Sequence, residues 1–316
     1  MTTVFQSPIF QDEAKAREAL EALRWPEGPV CAHCRNSDPE KIAKVEGKKQ
    51  SHRPGLYYCN DCKGQFTVTV GTVFERSKIP LTKWWMAAHL LNSSKKGVSA
   101  HQVHRTLGVT YKTAWFMMHR LREAMTTLTP SGPLGGPGKI VEADTAYVGG
   151  KEANKHRSKR DSKKIGGMGK QIVHSLVERG GGVRSHHIAN ISGKTVRPLL
   201  VTQASRKSVL MTDTAGGYMA VGKEFVRHEM VDHSTGEYVR GDAHSNTVEG
   251  YFSILKRGIN GVYHHVSEAH LRRYLAEFDF RYNNRMALGI SDAERTANAL
   301  RGIEGKRLTY RAADSH

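Results

Sequence analysis

The sequence predicts an α/β, more loosely α+β, protein built from a small metal-held N-terminal part, a helical middle and a larger strand-then-helix part. Three observations lead there. All four cysteines fall in two CxxC pairs within residues 26–75. Residues 81–127 carry apolar side chains at helical spacing. Beyond residues 129–139, TPSGPLGGPGK, apolar runs of strand length come first and helical stripes follow. A chain of 316 residues has room for two domains, or for one domain with appendages.

Residues 1–25 read as a helical lead-in, with Ala16, Ala19, Leu20 and Leu23 at helical spacing. Within 26–75, Cys31 and Cys34 are separated from Cys59 and Cys62 by 24 residues. Each CxxC turn sets two thiolates on one side of a Zn²⁺ ion, and the second pair completes a tetrahedron. Around the second pair, LYYCNDCKGQFTVTVGTVF alternates like a β-hairpin. Two redox CxxC motifs would instead call for a βαβ context, which is missing. The prediction is a four-cysteine zinc ribbon, since a segment this small lacks its own hydrophobic core.

Residues 78–128 suggest three helices. Leu81, Trp84, Trp85, Ala88 and Leu91 form one stripe. Ser99 can cap a short helix bearing Ala100, Val103 and Leu107, which Gly108 ends. Thr110 can cap another, with Ala114, Met118, Leu121 and Met125 on one face. Helix, glycine turn, helix is the helix-turn-helix pattern, whose second helix would enter the major groove. Tyr111, Lys112 and Thr113, with His119 and Arg120 further along, are the candidate DNA contacts.

Three prolines and four glycines make 129–139 a linker. Asp144 then sits mid-strand in IVEADTAYV, where an unpaired carboxylate is costly to bury. Asp213 ends the apolar run SVLMTD. In HSNTVEGYFSILKR, helical geometry puts Val248, Phe252 and Leu255 on an apolar stripe and Asn246, Glu249, Ser253 and Lys256 on a polar one. Two aspartates on neighbouring strands and a glutamate on a covering helix can hold two Mg²⁺ ions, typically about 3.5–4 Å apart. Residues 151–170 carry eight Lys/Arg against two acids, as a loop that grips phosphates would.

The balance of 48 Lys+Arg against 30 Asp+Glu gives +18 and a pI near 9.8, which favours a polyanionic partner, nucleic acid first. No apolar run reaches the ~20 residues of a membrane span, and no basic start leads into an apolar block as in a secretory signal. Work in the cytoplasm, at the nucleoid, is the expectation.

VEADTAYVGGK, VLMTDTAGGY and HSNTVEGYFSILKRGINGVYHHVSEAHLRRYLAEFDFRYNNR resemble the DDE-type insertion-sequence transposases of the zinc-ribbon-bearing, ISXO-like group, as do GTVFERSKIPLTKWW and CNDCKGQF. The resemblance covers roughly residues 15–290. It implies a ribonuclease-H-like catalytic domain over 140–290, with strands near 140–148, 171–178, 182–188 and 208–212. It also implies a helix capped by Ser267 that carries Leu271, Tyr274, Leu275, Phe278 and Tyr282; residues 291–316, beyond the resemblance, read as a C-terminal tail. By the same likeness Asp144, Asp213 and Glu249 are the catalytic acids and Lys256 their basic companion. Asn246 stays open as the alternative third residue, with Glu142 and Asp242 as reserves. Thr145 and Thr214 stand where the group commonly has acids.

Two functions therefore stand. The first is a transposase that binds terminal inverted repeats, cuts the ends and joins them to double-stranded target DNA with Mg²⁺ (Mn²⁺ substituting), as a homo-oligomer on DNA. The second is a decayed or repurposed relative that only binds DNA.

Overall fold

A computed structural model of the chain describes residues 4–46, 52–126, 132–150, 156–160, 169–214, 216–231 and 244–309. They form two compact units. The first draws on 1–94, 98–128 and 290–316, the second on 95–97 and 129–289. Asp242 and most of the basic segment 151–170 lie outside the described residues.

In the first unit, Asp12 caps α1 (Glu13–Arg24) by accepting from the Ala14 and Lys15 amides. The strands β1 (Ile42–Lys44), β2 (Tyr57–Cys59) and β3 (Gln65–Phe66) form an antiparallel meander, with Tyr57 opposite Phe66. Trp25 packs edge-on against both rings, a thin aromatic core for so small a sheet. The expected hairpin stops at Phe66, sooner than the alternation suggested.

Three helices follow: α2 (Leu81–Ser93), α3 (Ala100–Leu107) and α4 (Tyr111–Met125). The whole predicted stripe of α2 is buried. Ser99 accepts from the Gln102 amide and Thr110 from the Thr113 amide, so both expected caps form. Between them Gly108 takes φ +59°, a left-handed conformation that ends α3 at little steric cost.

The stretch 291–316 was expected to trail as a tail, and its described part does not. Ser291 caps a further helix, which returns to the first unit and buries Arg295, Thr296, Ala299 and Leu300. Arg295 donates to the Asn92 carbonyl at the end of α2, at 2.8 Å, and pairs with Asp292.

The second unit is one mixed sheet of β4 (Ile140–Val148), β5 (Gln171–Glu178), β6 (Val183–Ile188), β7 (Val209–Asp213) and β8 (Arg227–Val231). Their order is β6-β5-β4-β7-β8. β5 runs antiparallel to both β4 and β6; β7 and β8 lie parallel beside β4. The helices α5 (Gly193–Gln203) and α6 (Gly216–Gly222) cover one face. The helices α7 (Asn246–Gly258) and α8 (Glu268–Asn283) cover the other. Alternation along β4 splits it between the two cores: Val141 and Ala143 face α5 and α6, and Ala146 and Val148 face α7 and α8. The helix at the C-terminus is α9 (Asp292–Arg301).

Four of these strands fall within a residue of their expected places. β8, at the edge with the polar sequence RHEMV, was not anticipated. α8 buries Leu271, Tyr274, Leu275 and Phe278 as expected, although Ser267 stands at its start without a side-chain cap bond.

Candidate metal centres

The four cysteines converge. Their sulfur atoms all lie within 4.8 Å of one another, with Cys31 and Cys62 3.6 Å apart and Cys34 and Cys59 3.7 Å apart. A tetrahedral Zn²⁺ with bonds of about 2.3 Å places its sulfurs roughly 3.8 Å apart, so the donor set fits zinc. The two turns are built alike. Arg35 and Lys63, each just after the second cysteine of its pair, adopt φ of +66° and +57°. The Arg35 amide closes the first turn onto the Cys31 carbonyl at 3.0 Å, and the Cys59 amide bonds the Gly64 carbonyl at 2.9 Å. Arg35 then pairs with Glu304, which also meets Arg24.

The second centre is a carboxylate face. β4 and β7 run parallel with Ala143 opposite Thr212, so the next step of the register sets Asp144 beside Asp213. Both are half-buried. On β4, Asp144 shares its face with Glu142, Ala146 and Val148, beneath α7 and α8. On β7, Asp213 shares its face with Met211, whose sulfur lies 2.8 Å from the Arg179 guanidinium that also binds Glu142.

α7 lies on this face because Val248, Phe252 and Leu255 join the core formed with β4, β5 and α8. That packing leaves Asn246, Glu249 and Lys256 exposed along one edge of the helix. The Ser245 hydroxyl donates to Glu249 at 2.7 Å. An all-oxygen donor set of this kind suits a hard divalent cation such as Mg²⁺ rather than zinc.

Glu142, a reserve ligand from the sequence, is fully buried and surrounded by donors within the protein: Arg179 Nε, the Thr247 and Val248 amides and the Thr247 hydroxyl. It is occupied as an anchor.

Sequence reasoning missed two groups behind the acids. The buried Tyr218 hydroxyl lies 3.1 Å from His174 Nδ1. Burial first, then the negative charges of Asp144 and Asp213, hold that phenol well above its ordinary pKa. Burial, with His186 nearby, pushes His174 down to about 3 and keeps it neutral. A histidine inside the strand QIVHSLVE was the only available hint.

Beyond β4, a polar cleft of about 630 Å³ is lined by Tyr147, Gly149, Lys170, Lys256, Asn260 and His264, among others. It follows the π-helical turn Ile259–Tyr263, which ends at His264 with φ +58° and ψ −44°.

The candidate DNA contacts divide. Tyr111 and Lys112 are exposed at the start of α4, where Tyr111 stacks on His101 with centroids 4.3 Å apart. Thr113 is half-buried and bonded to Thr110. His119 is a correction: at 1% exposure it lies inside the unit against Trp115, out of reach of any base. Arg120 is half-buried, donates to the Glu75 carbonyl at 3.3 Å and lies over Phe116, a structural rather than an outward role.

A zinc-ribbon module followed by a sheet with paired aspartates defines the class, a transposase that carries its own ribbon. Residues 11–65 match the transposase zinc-ribbon domain, and residues 133–283 match the ISXO2-like transposase domain. Over 287 residues the chain is 30% identical to an uncharacterised protein in transposable element ISH50 of Halobacterium salinarum, which covers 86% of this chain and 91% of that relative. The chain belongs to the ISXO2-like transposase family. Among the described residues no helix is long and apolar enough to cross a membrane.

Proposed function

We propose that the protein binds the terminal inverted repeats of an insertion sequence and catalyses Mg²⁺-dependent DNA cleavage and strand transfer, working on DNA as a homo-oligomer at the nucleoid. The observation that carries this is the register that sets Asp144 beside Asp213 under the helix bearing Glu249. The strand order, with three antiparallel strands followed by two parallel ones, supports reading the second unit as ribonuclease-H-like. The capped pair α3 and α4 supports a helix-turn-helix, with Tyr111, Lys112 and Thr113 towards DNA.

In this reading Asp144, Asp213 and Glu249, or Asn246 in its place, hold two Mg²⁺ ions. When bound, they activate the attacking oxygen and stabilise the leaving one. The protein's own part is to fix the acids on rigid elements and to grip the strand. Lys256, with Lys170 across the cleft, meets backbone phosphate. In the first step a water oxygen bonds to phosphorus and the P–O3′ bond breaks, freeing a 3′-hydroxyl. In the second the oxygen of that hydroxyl bonds to a target phosphorus, the target's own P–O3′ bond breaks, and the proton lost by the attacking hydroxyl is balanced by one gained on the leaving 3′-oxygen.

A second reading, binding without catalysis, is favoured by Thr145 and Thr214 in places where the group commonly has acids. A labelled terminal repeat incubated with Mg²⁺ or Mn²⁺ separates the two. The wild type should cleave it and Asp213→Ala should bind without cleaving. Binding without cleavage by both would overturn the catalytic reading, and equal cleavage by both would overturn the site.

A further inference from the structure

The buried carboxylate of Glu142 on β4 is hydrogen-bonded to the first turn of α7. Glu142 lies on β4 two residues before Asp144 and on the same face. Its Oε2 accepts from the Thr247 amide at 2.8 Å and the Val248 amide at 2.9 Å, N–H groups of the first turn of α7 that have no partner within the helix. Its Oε1 accepts from the Thr247 hydroxyl at 2.8 Å and from Arg179 Nε at 2.5 Å. Ser245 at the N-cap position of α7 makes no side-chain cap bond, and the local contact is a long one, from the Asn246 amide to His244 Nδ1 at 3.4 Å. A carboxylate from the sheet supplies the cap instead.

Arg179 completes the clamp. Its Nη2 donates to the His244 carbonyl at 2.9 Å and lies 3.0 Å from His244 Nδ1. Its own backbone amide is held by the Ile140 carbonyl at the start of β4. One buried ion pair thus ties the start of β4, the end of β5 and the entry to α7 together. Asn246 and Glu249 both stand on the turn so held.

We propose that Glu142 is a positioning residue: a helix cap delivered from the strand of the first aspartate, which fixes Asn246 and Glu249 relative to Asp144 and so sets the affinity of the site for its divalent ions. This rests on the reading of those residues as metal ligands. Glu142 itself is no ligand, because the donors around it already use its oxygens. Outer groups that orient metal ligands typically change metal affinity or activity by about 10–100-fold when altered.

The test uses the full-length chain with its cysteine site loaded with zinc, as wild type and Glu142→Gln, with Thr247→Ala as the milder variant that removes one hydroxyl bond. Three readouts are taken: Mn²⁺ binding by electron paramagnetic resonance, hydrogen exchange of peptides over 244–258 and 268–283, and cleavage of a terminal-repeat DNA across a Mn²⁺ series. Glu142→Gln should exchange faster over 244–258 with 268–283 unchanged. It should bind Mn²⁺ at least about ten-fold more weakly. Its cleavage should return towards the wild-type rate at high Mn²⁺. Thr247→Ala should shift in the same direction by less.

Unchanged exchange over 244–258 overturns the cap. Faster exchange there with unchanged Mn²⁺ affinity overturns the positioning role, and so does a loss of cleavage that no Mn²⁺ concentration restores. A wild type that binds Mn²⁺ yet never cleaves refutes the catalytic reading alone, and the Mn²⁺ shift still decides the inference. A wild type that binds no Mn²⁺ overturns the inference itself.

Discussion

Asp279, fully buried on α8, makes a separable contribution to the pH dependence of this fold, opposite in sign to that of His174. Its Oδ2 accepts from the Ser185 amide at 2.7 Å, and its Oδ1 accepts from the Tyr251 hydroxyl at 2.6 Å and the Ser185 hydroxyl at 2.7 Å. Burial outweighs these bonds and pushes its pKa up from 3.8 to about 6. In the native state it therefore keeps a proton that the unfolded chain has already released. Its contribution to stability is full below about pH 4, is lost as pH rises towards 6, and is flat above that. The interval from 3.8 to about 6 corresponds to about 3 kcal/mol.

Asp279→Asn removes that loss without breaking the network. The amide oxygen can accept from the Ser185 backbone while the amide nitrogen donates to Tyr251 or Ser185. The Ser185 hydroxyl can then turn to Ser175, 2.8 Å away. Arg184 loses some charge balance but keeps Gln203 Oε1 at 2.7 Å. A net gain of about 1–3 kcal/mol above pH 6.5 follows, or roughly 3–8 °C in the melting of the second unit. Denaturation of both proteins between pH 4.5 and 8.5 reads it. The difference between them should be smallest at pH 4.5 and grow to a plateau by pH 7. A constant difference across that range would refute the reasoning, because Asp279 ionisation would then carry no cost.

Three further outcomes follow from the first unit. Cys59→Ser should drop zinc from one atom per chain to none by elemental analysis, and circular dichroism should show the ribbon losing structure, since metal affinity supplies its folding free energy. Lys112→Ala should weaken terminal-repeat binding and make its salt dependence shallower by about one in the log–log slope. His119→Ala should instead lower stability by about 1–3 kcal/mol and leave the DNA affinity of the folded fraction unchanged.

Much of this was legible because it depends on local rules. Cysteine spacing announces a metal, and Ser99 and Thr110 announce helix starts, since capping is settled within four residues. Asp144 and Asp213 stand out as acids in apolar strands. His119 was misread because α4 is buried on more than one stripe: Ala114, Met117, Met118, Leu121, Arg122 and Met125 are all inside. A polar residue on such a helix looks outward only if a single buried face is assumed. α9 was missed because its apolar content is low and its burial depends on α2, more than 190 positions earlier. The role of Glu142 was invisible for the same reason: its partners Thr247 and Val248 are 105 and 106 residues away.

That long-range pairing explains how the site can be stiff without a dedicated loop. Val248, Phe252 and Leu255 fix the rotation of α7 by burying one face, but an apolar stripe resists sliding along the helix axis less well than rotation. A slip of one residue would carry Glu249 about 1.5 Å along the axis and about 100° around it. The Glu142 cap opposes that slip, because only the first turn of a helix offers unpaired amides. Glu142 and Asp144 are two residues apart on one strand, so their Cα atoms lie about 7 Å apart whatever the loops around them do. The proposed third ligand is thereby measured from the strand that carries the first. In that arrangement a change at Glu142 disturbs both the strand that carries Asp144 and the turn that carries Glu249.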